Sequence, residues 1–118
     1  MDNFGSVAPD AFIADCPSRE IITRLAEKWT MLAIVALQDG PLRFGVLKRR
    51  VEGVSQKMLT QTLRNLEHDG LVTRTVYDEM PLRVEYALTP LGQTLLPLIQ
   101  AVKTWAEENM QPVLDART

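Results

Sequence analysis

VEGVSQKMLTQTLRNLEHDGLVTRTVYDEMPLRVEYALTP, residues 51–90, holds a tight turn, a helix and a hairpin in immediate succession. Gly53-Val54 makes the turn. Ser55 is placed to cap the helix, because its hydroxyl can accept an unpaired N–H of the first turn. Leu59, Leu63 and Leu66 recur at i, i+4 and i+7, with Met58 and Thr62 beside them, which predicts a core-facing stripe. Asp69-Gly70 stops the helix. Leu71–Asp78 is rich in β-formers, Glu79-Met80-Pro81-Leu82 is a turn, and Arg83–Thr89 is the returning strand.

Upstream, Cys16-Pro17 opens a helix that carries Ile21, Ile22, Leu25 and Trp29. A second helix, Thr30–Leu37 with Thr30 as its cap, is apolar nearly all round and so belongs in the core. Asp39-Gly40-Pro41 ends it. Leu42-Arg43-Phe44 is briefly extended. A short helix over Gly45–Val51 turns Val46, Leu47 and Val51 inward and Lys48, Arg49 and Arg50 outward. Downstream, Pro90 starts a last helix with Leu91, Leu95, Leu98, Ile99, Val102 and Trp105 at helical spacing, and Pro97 is expected to kink it. The chain therefore divides into a partly ordered lead (1–15), one domain (16–110) and a C-terminal tail (111–118). The fold class is mainly α with a small β-hairpin. Two helices joined by a glycine-bearing turn and followed by a hairpin describe a winged helix-turn-helix.

The stripe opposite the leucines is Lys57, Thr60, Gln61 and Arg64, with Gln56 at its N-terminal end. No carboxylate stands between Val54 and Asn65. Arg and Lys suit guanine edges and phosphates, Gln suits adenine, and Thr suits the thymine methyl, so this face has the side chains that read a DNA major groove. Charge is segregated to match. The 118 residues hold 13 basic and 15 acidic side chains, yet from Arg43 to Arg64 there are six basic residues and one acidic, Glu52. An acidic protein with such a patch can bind a polyanion locally. On this reading Ser55 and the helix N-terminus grip a phosphate. Gln56, Lys57, Thr60, Gln61 and Arg64 meet base edges or phosphates, Arg43, Lys48 and Arg49 hold flanking backbone, and Arg83 makes the wing contact. The competing reading is a winged-helix interaction module that does not bind DNA directly.

Other functions find little support. One histidine and one cysteine supply neither a triad nor a metal cage, and there is no phosphate-cradling glycine loop, so no enzyme, cofactor or metal is expected. The first basic side chain is Arg19, unlike a signal peptide, and the longest uncharged run, Tyr86–Val102, is interrupted by prolines and glycine. A cytoplasmic protein with no membrane partner is expected.

The motifs Cys16-Pro17, Lys28-Trp29-Thr30, Arg43-Phe44 with Leu47, Ser55-Gln56-Lys57-Met58-Leu59-Thr60, Leu66-Glu67-His68-Asp69-Gly70-Leu71-Val72, Val84-Glu85-Tyr86-Ala87-Leu88-Thr89, Gly92 and Trp105 together resemble the HxlR-type transcriptional regulators, relatives of the MarR group. Where that family often has two glycines before Lys-Trp, Ala26-Glu27 stand here, read as a longer first helix. The resemblance implies a homodimer on a pseudo-palindromic operator, with Ser55–His68 as recognition helix and Asp78–Arg83 as wing. It also implies dimer contacts from the N- and C-terminal helices. The large apolar residues there, Ile21, Leu95, Leu98, Val102 and Trp105, exceed what one small domain covers. Cys16 aligns with a cysteine that some members use to sense oxidants or electrophiles. At a helix cap its thiolate is favoured by the helix dipole, with Arg19 assisting and Asp15 opposing. The alternative is a small inert thiol.

Overall fold

The computed structural model describes residues 8–118, so the first seven residues of the expected lead lie outside the described residues. The elements run α1 (Pro17–Leu25), α2 (Lys28–Ala36), β1 (Leu42–Arg43), α3 (Phe44–Arg50), α4 (Gln56–His68), β2 (Val72–Tyr77), β3 (Arg83–Leu88), α5 (Pro90–Glu108) and α6 (Met110–Ala116). The sheet is antiparallel in the order β1-β3-β2, with β1 pairing Leu42 with Tyr86 and Arg43 with Glu85. Among the described residues no helix is long and apolar enough to cross a membrane.

Several boundaries differ from those expected. The first helix is shorter than predicted, because Ala26 caps α1 and Glu27 caps α2. The Glu27 carboxylate accepts the Thr30 N–H at 3.1 Å and its hydroxyl at 3.3 Å, so the cap lies three residues before the threonine expected to fill it. Trp29 consequently belongs to α2. Residues expected as a tail form most of α6. The last helix, α5, starts at Pro90 as expected and holds Pro97 in its interior.

The core is built where the patterning places it. Leu59, Leu63 and Leu66 of α4, Ile34 and Leu37 from the α2 segment, Leu47 of α3 and Val72 of β2 are fully buried. Thr62 is buried with them, whereas Met58 and Val46 are exposed rather than inward-facing. Leu95 packs partly against this core, and Ile99 is buried in it. The end of α4 is clamped to the start of α5. Leu71 N–H donates to Leu66, Thr89 N–H donates to the Leu71 carbonyl at 3.0 Å, and the Thr89 hydroxyl donates to the Gly70 carbonyl at 2.6 Å. Gly92 lies against that carbonyl of Leu71, where a Cβ would collide with the oxygen.

The wing has its own clasp. Arg83 donates to both Glu79 oxygens, at 3.3 and 2.7 Å, and to Glu85 at 2.6 Å, while its guanidinium lies 3.7 Å from the Tyr77 ring centroid. The hydrogen bonds from Arg83 hold the Glu79 carboxyl below the usual carboxylate range. The wing tip itself is apolar and fully presented to solvent, with Met80 98% exposed.

Two outcomes follow from these contacts. Gly92→Ala should lower unfolding free energy by about 1–3 kcal/mol in urea titration, the usual cost of forcing an atom into a packed site; an unchanged midpoint would show that the α4–α5 junction is slack. In an NMR pH titration the Glu79 carboxyl should titrate below the ordinary range and return to it in Arg83→Met. The stability lent by the pair is complete above the ordinary carboxylate range and fades as pH falls through the lowered value. Identical Glu79 curves in both proteins would contradict the clasp.

Candidate nucleic-acid interface

The turn between α3 and α4 sets the orientation of the exposed face. Ser55 adopts the extended conformation of a cap, and its Oγ accepts the Met58 N–H at 3.0 Å, leaving the O–H to donate outward. With three leucines buried, the other side of α4 must face solvent. Gln56, Lys57, Gln61 and Arg64 are exposed there and Thr60 is half-buried. Gln61 donates to Asn65 at 3.1 Å along the same face. The first turn of α4 contains no acidic residue, so nothing offsets the positive end of the helix dipole.

The flanking cations are similarly available. Arg43, at the cap of α3, and Lys48, Arg49 and Arg50 in its last turn are exposed. None of these four, nor Lys57 or Arg64, takes part in a salt bridge of the described residues. Exposed cations without a carboxylate partner are the groups that a phosphate backbone neutralises with least loss. Lys48 and Arg49 border the turn that leads into α4, whereas Arg50 lies toward α2 and Lys103 of α5.

Arg83, expected as the wing's DNA contact, is placed otherwise. Two carboxylates and an aromatic ring hold it, and its side chain is 24% exposed. A phosphate would have to displace an existing partner. The exposed wing cation outside the salt bridges is Arg74 on β2, opposite Tyr86. Composition could not reveal this, since Arg83 meets its partners only when the loop folds back on β3.

Cys16 is the cap residue of α1 and is buried, at 7% exposure. The segment 8–15 closes over it. Asp10 N–H donates to Sγ at 3.4 Å, the Ser18 hydroxyl lies 3.1 Å from Sγ, and the Arg19 guanidinium donates to the Ala11 and Phe12 carbonyls, both at 2.9 Å. The Ser18 hydroxyl and the backbone N–H groups of Asp10 and Ser18 hold the thiol below its usual range, while partial burial and the Asp10 carboxylate oppose them. Arg19, expected to assist the thiolate directly, instead pins the covering segment. Asp10, not Asp15, supplies the opposing charge. Among the described residues no cluster of three or more His, Cys, Asp or Glu side chains could hold a metal.

Of the residues expected at a dimer contact, Ile21, Leu98, Val102 and Trp105 are exposed, and Leu95 is divided between the surface and its own core. Leu91, Met110 and Leu114 extend the exposed apolar stripe along α5 and α6.

Known proteins share this fold. The family described as HxlR-like helix-turn-helix matches residues 24–114. An uncharacterized HTH-type transcriptional regulator of Escherichia coli, YtfH, is 43% identical over 106 residues, covering 90% of this chain and 84% of its own length. The structure of a transcriptional regulator ytfH from Salmonella typhimurium superposes with a TM-score of 0.86 at 43% identity, covering 92% of this chain and 97% of that one. The oxidized form of the redox regulator HypR gives 0.74 at 39% identity, with coverage of 80% and 97%. A carboxylate-free stretch from Gln56 to Arg64 on the second helix of a helix-turn-helix, a three-stranded sheet bearing the wing and this range of similarity meet in one assignment: the chain belongs to the HxlR-like helix-turn-helix family of transcriptional regulators.

Proposed function

We propose that the chain is a sequence-specific DNA-binding regulator that acts as a homodimer on a pseudo-palindromic operator. The observation that carries this reading is the exposed face of α4 from Gln56 to Arg64, which has cations and amides but no carboxylate. Each subunit inserts the N-terminal part of α4 into a major groove. Ser55 and the first turn meet a phosphate, and Gln56, Lys57, Thr60, Gln61 and Arg64 meet base edges or phosphates. Arg43, Lys48 and Arg49 hold the flanking backbone. The wing's phosphate contact falls to Arg74, because Arg83 is engaged within the hairpin.

Two observations support a pair of subunits. The radius of gyration is 16.7 Å, against about 13.5 Å for a compact chain of this length. The stripe from Leu91 to Leu114 is also left uncovered, with Trp105 60% exposed. Covering that stripe and the Ile21 face with a second copy removes both anomalies. Two-fold symmetry then places the recognition helices about 34 Å apart, or at a near multiple.

Cys16 is the proposed switch, supported by its lowered thiol and by the redox regulator among similar structures. Oxidation joins it to the partner's Cys16 or to a small thiol. The two thiols lose two protons and two electrons to the oxidant, which diamide accepts as it becomes a hydrazine. An electrophile such as a quinone would add to the thiolate instead.

Binding to a duplex from upstream of the chain's own gene should weaken as salt rises. Lys57→Ala should reduce the slope of log affinity against log salt by about one. Arg64→Ala should cost about 1–3 kcal/mol and relax base preference at one position. No binding at low ionic strength would reject direct DNA recognition in favour of an interaction module. Diamide or a quinone should weaken binding by the wild type and spare Cys16→Ser; equal responses would remove the thiol from the mechanism.

A further inference from the structure

The first helix is loosely held. No residue of α1 is buried. Ile21 and Ile22 face solvent, and only Leu25, at the C-terminal end, packs against the core. Besides its packing on α2, one side chain links α1 directly to the end of the recognition helix. Arg24, in the last turn of α1, donates to the Asp69 carboxylate at 3.3 Å, and Asp69 is the C-cap of α4. Among the described residues this is the hydrogen bond that joins α1 to the recognition helix and its cap. Glu20, one turn earlier, accepts from Arg24 at 3.4 Å and steadies the guanidinium.

The space around this link is open on both sides. A groove of about 310 Å³ separates α1 from the Met58, Gln61 and Asn65 side of α4. Another of about 360 Å³ lies between Ile21 and Leu25 of α1 and Leu91 and Leu95 of α5, with Asp69 on its wall. Close packing would transmit a movement of α1 through many contacts; here Arg24 spans the gap as a strut. The far end of the strut is stiff, since Gly70 and Leu71 are tied to Thr89 at the start of α5.

We propose that Arg24 is a positioning residue, which couples the placement of α1 to the set of the recognition helix and so to the spacing of the two helices on DNA. The inference rests on the reading of α4 as the recognition helix of a dimer. A partner subunit lying against Ile21 and Ile22 places α1, and Arg24 carries that placement to the end of α4 that does not touch bases. Whatever shifts α1 from its Cys16 end reaches the DNA-binding face through the same side chain.

A hydroxyl-radical footprint of the full chain on the duplex upstream of its own gene defines the two half-sites. Fluorescence anisotropy then compares a duplex bearing both with a duplex bearing one. Arg24→Met and Asp69→Asn should each weaken binding to the two-site duplex by about tenfold and change single-site binding less than about twofold. The double variant should be no weaker than either alone, as expected for residues acting through one contact, and Arg24→Lys should recover part of the loss. A substitution that merely unfolds protein lowers both affinities together, so equal losses on the two duplexes overturn the proposal, as do unchanged affinities on both. Wild-type protein that binds neither duplex overturns the recognition-helix reading itself, and the proposal with it.

Discussion

Burial of Leu59, Leu63 and Leu66 fixes the rotation of α4 about its axis. Once those side chains enter the core, the 3.6-residue repeat leaves Lys57, Gln61 and Arg64 no direction but outward. Losing a buried leucine costs about 2–5 kcal/mol, a large fraction of the margin by which a domain of this size is folded. The outer face can therefore be read for chemistry, because its orientation is not negotiable. The cap at Ser55 and the stop at Gly70 fix the ends of the same helix, and the clamp through Thr89 and Gly92 ties it to the long helix that follows.

Much of this was legible in the sequence, and the reasons are local. The helix α4 advertised itself through a cap, a periodic stripe and a glycine stop within sixteen residues. The hairpin did so through β-formers on both sides of a proline-bearing turn. What was hidden depends on contacts between segments. Thr30 looked like a cap by residue type, but Glu27 is the residue whose carboxylate reaches Thr30 N–H, which moves the boundary between the two expected helices toward the N-terminus. Arg83 looked like a free wing cation, and its two carboxylate partners become visible only once the loop turns back. Arg24 and Asp69 are 45 residues apart, and no spacing rule links them.

The molecule separates its tasks along its length. Positive charge without partners collects on α3 and α4, while carboxylates and their cations neutralise each other in α1, the wing and α5. Apolar surface is left on Ile21, Leu98, Val102 and Trp105. The thiol is the cap of α1 and is buried beside the short segment that precedes it. The loosely packed first helix carries one direct hydrogen bond to the end of α4, from Arg24 to Asp69.

The central claim is that the outer face of α4 meets the nucleic acid. Backbone amide shifts of labelled protein, followed as the upstream duplex is added at low salt, test it most directly. The largest changes should fall on residues 55–64 and on the exposed side of α3, with the acidic wing clasp and α6 little affected. Changes confined to the apolar stripe of α5 and α6, or spread evenly over the chain, would contradict it.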